Sequence, residues 1–170
     1  MKRSMVGFAA LVAVSGFIYT TGFIQSIILS SPAMVLIAIA VIALLGGYWF
    51  EWPTARDAKD LPFDGSDFKL FISVVGGALV SHWINVTLGL GAVLGEGLVT
   101  TLAALFLPDF GAPITCGSFC GMASPLVLPG MQYMLLASVI AGIIFVFAKE
   151  TMNGLGGKLG AMGAAGCTIA

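Results

Sequence analysis

Long apolar runs constrain this chain more than any other feature of its sequence. The first two runs, residues 5–29 and 33–50, contain no charged side chain. About 20 apolar residues in a helix cross the hydrocarbon core of a bilayer, and a helix satisfies its own backbone hydrogen bonds there. Charged residues make up 9% of the 170-residue chain, against ~25% in soluble domains. We therefore predict an all-α integral membrane protein, a polytopic helical bundle.

The rest of the chain divides at glycines, prolines and charges. Three further apolar stretches, 70–88, 91–107 and 131–148, are predicted to cross the bilayer. The small-residue segment 112–128 carries prolines inside and just beyond it, and it is either a crossing or a re-entrant segment. The Gly- and Ala-rich tail 153–170 is a short packed helix or a second re-entrant element. We expect about five or six transmembrane helices with one or two short broken or re-entrant segments.

We treat residues 1–170 as a single membrane domain with three parts. Residues 1–50 form a helical hairpin that turns at Ser30-Ser31-Pro32, because proline disfavours helix in the residue before it. Residues 51–69 form a cytoplasmic polar loop, and its acids between Asp57 and Asp67 are expected to face solvent. Residues 70–170 are rich in glycine and form the candidate functional half.

Positive charges indicate the orientation. Lys2 and Arg3 lie on the same side of the predicted hairpin as the cations of the 51–69 loop, and Lys149 ends the last clear span. The positive-inside rule places this side, and the N-terminus, in the cytoplasm. The chain starts like a signal peptide, but its apolar run is too long and no small-residue cleavage site follows, so we expect an uncleaved helix. The expected location is a bacterial cytoplasmic (inner) membrane.

Glu96 is the most informative residue, because it lies near the middle of the predicted 91–107 span. A charge at the bilayer centre costs at least ~2.5–3.5 kcal/mol, so such a residue faces a cavity, a partner or a pathway, or it serves as polar glue between helices. His82 is the only histidine. A hairpin turning near Gly89 would place His82 and Glu96 at similar depths, as a proton relay, a cation site or a packing pair.

The candidate pathway combines these two residues with the small polar residues around them. Its members are His82, Asn85, Glu96, Thr100, Thr115, Cys116, Ser118, Cys120 and Ser124. Three small-xxx-small motifs, which begin at Gly91, Gly117 and Gly156, favour close helix packing. Cysteines in membrane segments are more often packing residues than redox or metal sites.

The leading hypothesis is a small transporter or channel for an ion or small solute. The alternative is a non-transporting structural or assembly subunit of a larger membrane complex. A redox enzyme using Cys116 and Cys120 has the least support, because no catalytic cluster accompanies them, and we expect no enzymatic activity, cofactor or metal. Expected partners are the lipid bilayer, the solute or ion, and other subunits in a homo-oligomer or membrane complex. A net charge of −1 argues against nucleic acid.

Overall fold

A computed structural model of the chain describes residues 2–28, 33–57, 62–153 and 157–170. These residues form helices, turns and short connections, and no strand occurs among them. In chain order the helices are α1 (Arg3–Ile28), α2 (Ala33–Asp57), α3 (Gly65–His82), a π-helical continuation of α3 (Trp83–Thr87), α4 (Ala92–Phe106), a 3₁₀ turn (Pro108–Phe110), α5 (Gly111–Gly121), α6 (Met131–Ala148) and α7 (Lys158–Ile169). The predicted turn at Ser30-Ser31-Pro32 lies outside the described residues.

Four helical stretches are long and apolar enough to cross a membrane: Arg3–Ile28, Met34–Asp57, Gly65–Thr87 and Met131–Ala148. The remaining helices are shorter. At ~1.5 Å per residue, the 15 residues of α4 span about 22 Å, less than the ~30 Å hydrocarbon core. The protein is thus a helical, membrane-embedded bundle with four candidate spans among the described residues. The predicted total of five or six crossings depends on α4, α5 and α7 and stays a prediction.

The helices alternate in direction. Ser4 of α1 donates to the carbonyl of Ala55 of α2 at 3.1 Å, and Ser15, later in α1, bonds Tyr48, earlier in α2, so α1 and α2 run antiparallel. Gly95 at the start of α4 packs against the last turns of α3, which makes α3 and α4 a second hairpin. The 3₁₀ turn then reverses the chain, and α5 runs back alongside α3.

Glycines bring α5 and α3 into backbone contact. A Cβ on Gly117 would overlap the backbone of Val74 and Ala78, and one on Gly121 would lie 2.5 Å from the carbonyl oxygen of Ala78. Small residues permit such close approach, so the motif that begins at Gly117 packs helices as predicted. In the motif that begins at Gly91, Gly95 makes a close contact, whereas Gly91 has φ +86° and precedes α4. Gly156 lies outside the described residues.

The predicted 51–69 polar loop is shorter in the structure. Helix α2 continues through its polar residues to Asp57, and α3 already begins at Gly65. Asp64 starts α3 by accepting hydrogen bonds from the backbone N–H groups of Ser66 (2.9 Å) and Asp67 (3.1 Å), while Asp67 accepts one from the N–H of Asp64 in return. This capping box satisfies donors that a helix start otherwise leaves unpaired. The expectation that all acids here face solvent is wrong for Asp67, which is buried.

Candidate functional site

Helix α4 places the carboxyl group of Glu96 at one end of a series of hydrogen-bonded polar side chains. Glu96 Oε1 lies 2.9 Å from Thr100 Oγ1, one turn further along α4, and Thr100 Oγ1 lies 3.0 Å from Ser118 Oγ of α5. Ser118 Oγ also donates to the carbonyl oxygen of Thr115 at 2.9 Å. Ser81 of α3 donates to the carbonyl oxygen of Ser118 at 3.2 Å. We call Glu96, Thr100, Ser118 and Ser81 the Glu96 chain, and it joins α4, α5 and α3.

The hydrogens available to this chain depend on the state of Glu96. Three contacts connect Glu96, Thr100, Ser118 and the carbonyl of Thr115, but each hydroxyl supplies one hydrogen. A carboxylate supplies none, so two hydrogens would have to serve three contacts. As a carboxylate, Glu96 accepts from Thr100 Oγ1. As a protonated carboxyl group it would instead donate to Thr100, Thr100 would donate to Ser118, and Ser118 would donate to the carbonyl. The three contacts can all be hydrogen bonds at once only in that second arrangement.

His82 and Asn85 lie where α3 changes into a π-helix. His82 is 4% exposed, and its Nδ1 is buried with no hydrogen-bond partner among the described residues. Asn85 Nδ2 donates to the carbonyl oxygens of Gly121 (3.2 Å) and Met122 (3.4 Å), which lie at the end of α5. The π-helical bond runs from the N–H of Leu88 to the carbonyl of Trp83 at 3.0 Å. π-Helical turns within α-helices are frequent at functional sites.

The sequence suggested that the side chains of His82 and Glu96 could meet across the hairpin of α3 and α4. Within the described part of the chain, neither a hydrogen bond nor an ion pair joins the two side chains. Helices α3 and α4 are in close contact here, since a Cβ on Gly95 would lie 3.0 Å from the carbonyl oxygen of Ser81 and 3.3 Å from the N of Asn85. Ser81, rather than its neighbour His82, is the α3 residue that belongs to the Glu96 chain.

Three other predicted residues lie apart from the Glu96 chain. Cys116 and Cys120 are fully buried on the face of α5 that meets α7, where Gly163 packs against their backbone. Cys120 Sγ lies 3.3 Å from Cys167 Sγ. Ser124 is exposed in the connection after α5. Of the predicted set, the structure brings Glu96, Thr100, Ser118 and the carbonyl of Thr115 together, with His82 and Asn85 nearby on the α3 side.

Sequence reasoning missed a buried charge cluster at the opposite end of the bundle. Asp67 Oδ2 accepts from Arg3 Nη1 at 2.8 Å, and Asp67 Oδ1 accepts from Lys149 Nζ at 2.7 Å. Arg3 also donates from Nε to the carbonyl of Val146 at 3.1 Å and lies over the ring of Phe63 at 4.2 Å. The signal available in the sequence was that Arg3 and Lys149 each border an apolar run and Asp67 begins another.

This end of the bundle, where α1 begins, α2 ends, α3 begins and α6 ends, is called here the cation end. Lys2 Nζ donates to the carbonyl of Arg56 at 3.0 Å, and Lys158 Nζ donates to the carbonyl of Lys149 at 2.9 Å. Glu51, which is buried in α2, accepts from the N–H of Met152 at 2.7 Å. Six of the seven Lys and Arg residues lie here: Lys2, Arg3, Arg56, Lys69, Lys149 and Lys158. The seventh, Lys59, lies outside the described residues.

Other possible indications of function are few. In the ranges 2–28, 33–57, 62–153 and 157–170, no group of three or more His, Cys, Asp or Glu side chains could hold a metal ion. Comparisons with protein-family models, with curated proteins and with solved structures find no match to this chain. The Glu96 chain is therefore the candidate functional site among the described residues.

Proposed function

We propose that this protein is a small membrane transporter or channel for an ion or small solute, and that Glu96 takes up and releases a proton or cation within the bundle. The observation that carries the proposal is the hydrogen count of the Glu96 chain. Its three contacts are complete with a protonated carboxyl group and incomplete with a carboxylate. Gain or loss of one proton at Glu96 therefore changes the bonding between α4 and α5.

The consequence of losing the proton follows from the same geometry. A carboxylate at Glu96 accepts from Thr100, so Thr100 has no hydrogen left for Ser118. Ser118 then donates either to Thr100 or to the carbonyl of Thr115, and one of the three contacts is lost. A net hydrogen bond contributes ~0.5–1.5 kcal/mol, which is the right size for a reversible shift between two arrangements. A cation that replaces the proton would bind the carboxylate at the same position.

The surroundings of α4 support such a shift. Helix α4 is preceded by Gly89 and Gly91, whose φ values of +67° and +86° are accessible mainly to glycine. It is followed by the 3₁₀ turn at Pro108–Phe110. Short helices with irregular connections are how transporters expose polar groups at membrane depth. The candidate pathway accordingly lies between α3, α4 and α5, in the half of the bundle away from the cation end.

The membrane orientation is also part of this proposal. We place the cation end in the cytoplasm, because six of the seven Lys and Arg residues lie there and cytoplasmic loops of membrane proteins are enriched in Lys and Arg. The N-terminal end of α1 is then cytoplasmic, and the membrane is a bacterial inner membrane. We expect the pathway to be completed by further copies of this chain in a homo-oligomer, or by other subunits of a membrane complex.

Proton flux in liposomes tests the role of Glu96. The purified chain would be reconstituted with an internal pH dye, and flux would be driven by a potassium gradient with valinomycin. We expect Glu96→Gln to lower pH-dependent flux at least about tenfold, the effect of ~1.4 kcal/mol. The Gln side chain still donates a hydrogen to Thr100, so the fold is expected to persist. Asp109→Asn is the matched control, because Asp109 is an exposed acid just beyond α4.

A second pair of variants tests the hydroxyl groups. Thr100→Val removes the link between Glu96 and Ser118, whereas Thr101→Val changes the neighbouring, exposed residue. We expect Thr100→Val to lower flux and Thr101→Val to leave it unchanged. Wild-type flux in Glu96→Gln would refute the site. No flux of protons, alkali cations or small solutes from the wild-type chain, with a stoichiometric partner after purification, would favour the assembly-subunit alternative.

A further inference from the structure

Two cysteines that are distant in sequence meet between α5 and α7. Cys120 Sγ and Cys167 Sγ are 3.3 Å apart although the residues are 47 positions apart in the chain, and Cys167 Sγ also lies 3.5 Å from the carbonyl oxygen of Cys120. A disulfide bond is ~2.05 Å long. The two sulfur atoms therefore need to approach by only about 1.3 Å to bond, a shift within reach of side-chain rotation and small backbone adjustment.

Helix α7 lies against the backbone of α5 next to the two thiols. Gly163 lies one turn before Cys167 on α7, and a Cβ at Gly163 would be 2.9 Å from the backbone N of Cys120 and 3.0 Å from the carbonyl oxygen of Cys116. Gly166 packs in the same way against Ala141 of α6. A disulfide requires close Cα positions, usually ~4.4–6.8 Å apart, and Gly163 lets α7 approach α5 closely one turn before Cys167.

We propose that Cys120 and Cys167 are a redox-active dithiol that closes to an intramolecular disulfide and fixes α7 on α5. The oxidant is a small-molecule disulfide, R–S–S–R. The thiolate of Cys167 attacks one sulfur of the oxidant, which forms a mixed disulfide and releases one R–S⁻. The thiolate of Cys120 then attacks Cys167 Sγ, which forms the protein disulfide and releases the second R–S⁻. The two cysteine protons convert the two R–S⁻ ions to R–SH.

The order of these steps follows from exposure. Cys167 is partly exposed on α7, whereas Cys120 is fully buried, so the oxidant reaches Cys167 first. Cys116 is fully buried one turn before Cys120, and within the described residues its sulfur has no bond or hydrogen-bond partner. Cys116 is therefore an internal control that the reaction leaves as a free thiol. This proposal is independent of Glu96, because it uses the opposite face of α5.

The experiment treats the full chain in detergent with the apolar disulfide 2,2′-dithiodipyridine and follows intact mass and free thiols after denaturation. The wild-type chain has three cysteines; we expect one free thiol to remain, a mass lowered by two hydrogens, and reversal by a phosphine reductant. Peptide mapping should join the peptides that contain Cys120 and Cys167. Cys116→Ser should give the same mass change and no remaining thiol.

The single variants separate the two steps. Cys120→Ser should stop at the mixed disulfide and keep one thiopyridyl group on Cys167. Cys167→Ser should react at least about tenfold more slowly, because the remaining thiols are buried. A wild-type chain that keeps a thiopyridyl group on Cys167, forms disulfide-linked dimers or pairs Cys116 would overturn the proposal. Each variant is expected to fold, because serine differs from cysteine by one atom. Helical content measured by circular dichroism checks this.

Discussion

Replacing Asp67 with Asn tests the contact that holds the cation end together. The carboxylate of Asp67 pairs with Arg3 Nη1 at 2.8 Å and with Lys149 Nζ at 2.7 Å, and the Asp67 side chain is 5% exposed. The substitution keeps the size of the side chain and removes its charge. Two cations, one on α1 and one at the end of α6, then share a buried site without their anion. We expect the folded state to lose stability because of this uncompensated charge.

The size of the loss can be derived from the surroundings of the two cations. Removing one partner of a buried ion pair costs ~3–5 kcal/mol. Arg3 keeps the carbonyl of Val146 and the ring of Phe63 after the substitution, and Lys149, at 18% exposed, can turn to water. These contacts place the expected loss at the lower limit, about 3 kcal/mol. Chains of this length lose ~2–4 °C of unfolding midpoint per kcal/mol, so the midpoint should fall by about 6–12 °C.

Thermal unfolding in detergent, followed by tryptophan fluorescence, measures this loss. Lys149→Met should cost less than Asp67→Asn, because the buried Arg3–Asp67 pair remains. Asp57→Asn is the control: Asp57 pairs with Arg56 at 3.2 Å, but the side chains are 69% and 64% exposed, and exposed pairs contribute ~0–1 kcal/mol. If Asp67→Asn unfolds within 2 °C of Asp57→Asn, the reasoning about the buried charge cluster is wrong.

Two further predictions concern Lys158 and Gly117. Burial disfavours the charged form of Lys158 and lowers its pKa from 10.5 to about 8. The unfolded chain therefore binds more protons than the folded chain between pH 8 and 10.5, so the free energy of unfolding should rise with pH across that window. The unfolding midpoint should rise less steeply with pH in Lys158→Met than in the wild type. An unchanged slope would contradict this prediction. Gly117→Ala should cost ~1–3 kcal/mol by overpacking, because its Cβ would overlap the backbone of Val74 and Ala78, whereas Gly97→Ala enters open space and should cost nothing. Equal unfolding midpoints for the two alanine variants would refute the close packing.

Helix boundaries were predictable from the sequence where a helix ends at the same residue as its run of apolar residues. The predicted 131–148 span coincides with α6, and the predicted 91–107 span differs from α4 by one residue at each end. The boundary at residues 51–69 was not predictable in the same way. Polar side chains from Glu51 onward can continue a helix outside the hydrocarbon, and only the reciprocal bonds of Asp64 and Asp67 show where α3 begins.

In the candidate site, contacts within one helix were predictable from the sequence, whereas contacts between residues far apart in the chain were not. Thr100 follows Glu96 by four residues, so helical spacing alone places them on one face of α4. The partner of Cys120 is 47 residues away, and the partners of Asp67 are 64 and 82 residues away. No spacing rule predicts such pairs, because they depend on how each helix is rotated about its axis. The same rotation decides that Ser81, and not His82, bonds to Ser118 in the Glu96 chain.

The two halves of the bundle differ in what resists movement, and this difference bears on how a transporter of this fold would operate. At the cation end, Asp67 joins α3 to α1 and α6 through buried charges, and Glu51 joins α2 to the segment after α6. A change there would separate charges in a poorly hydrated site, which is costly. Away from that end, α4 is held to α5 by side-chain hydroxyl contacts and is preceded by two positive-φ glycines. Under the proposed function, a proton gained or lost at Glu96 is therefore expected to shift α4 against a frame of α1, α3 and α6, rather than rearrange the whole bundle.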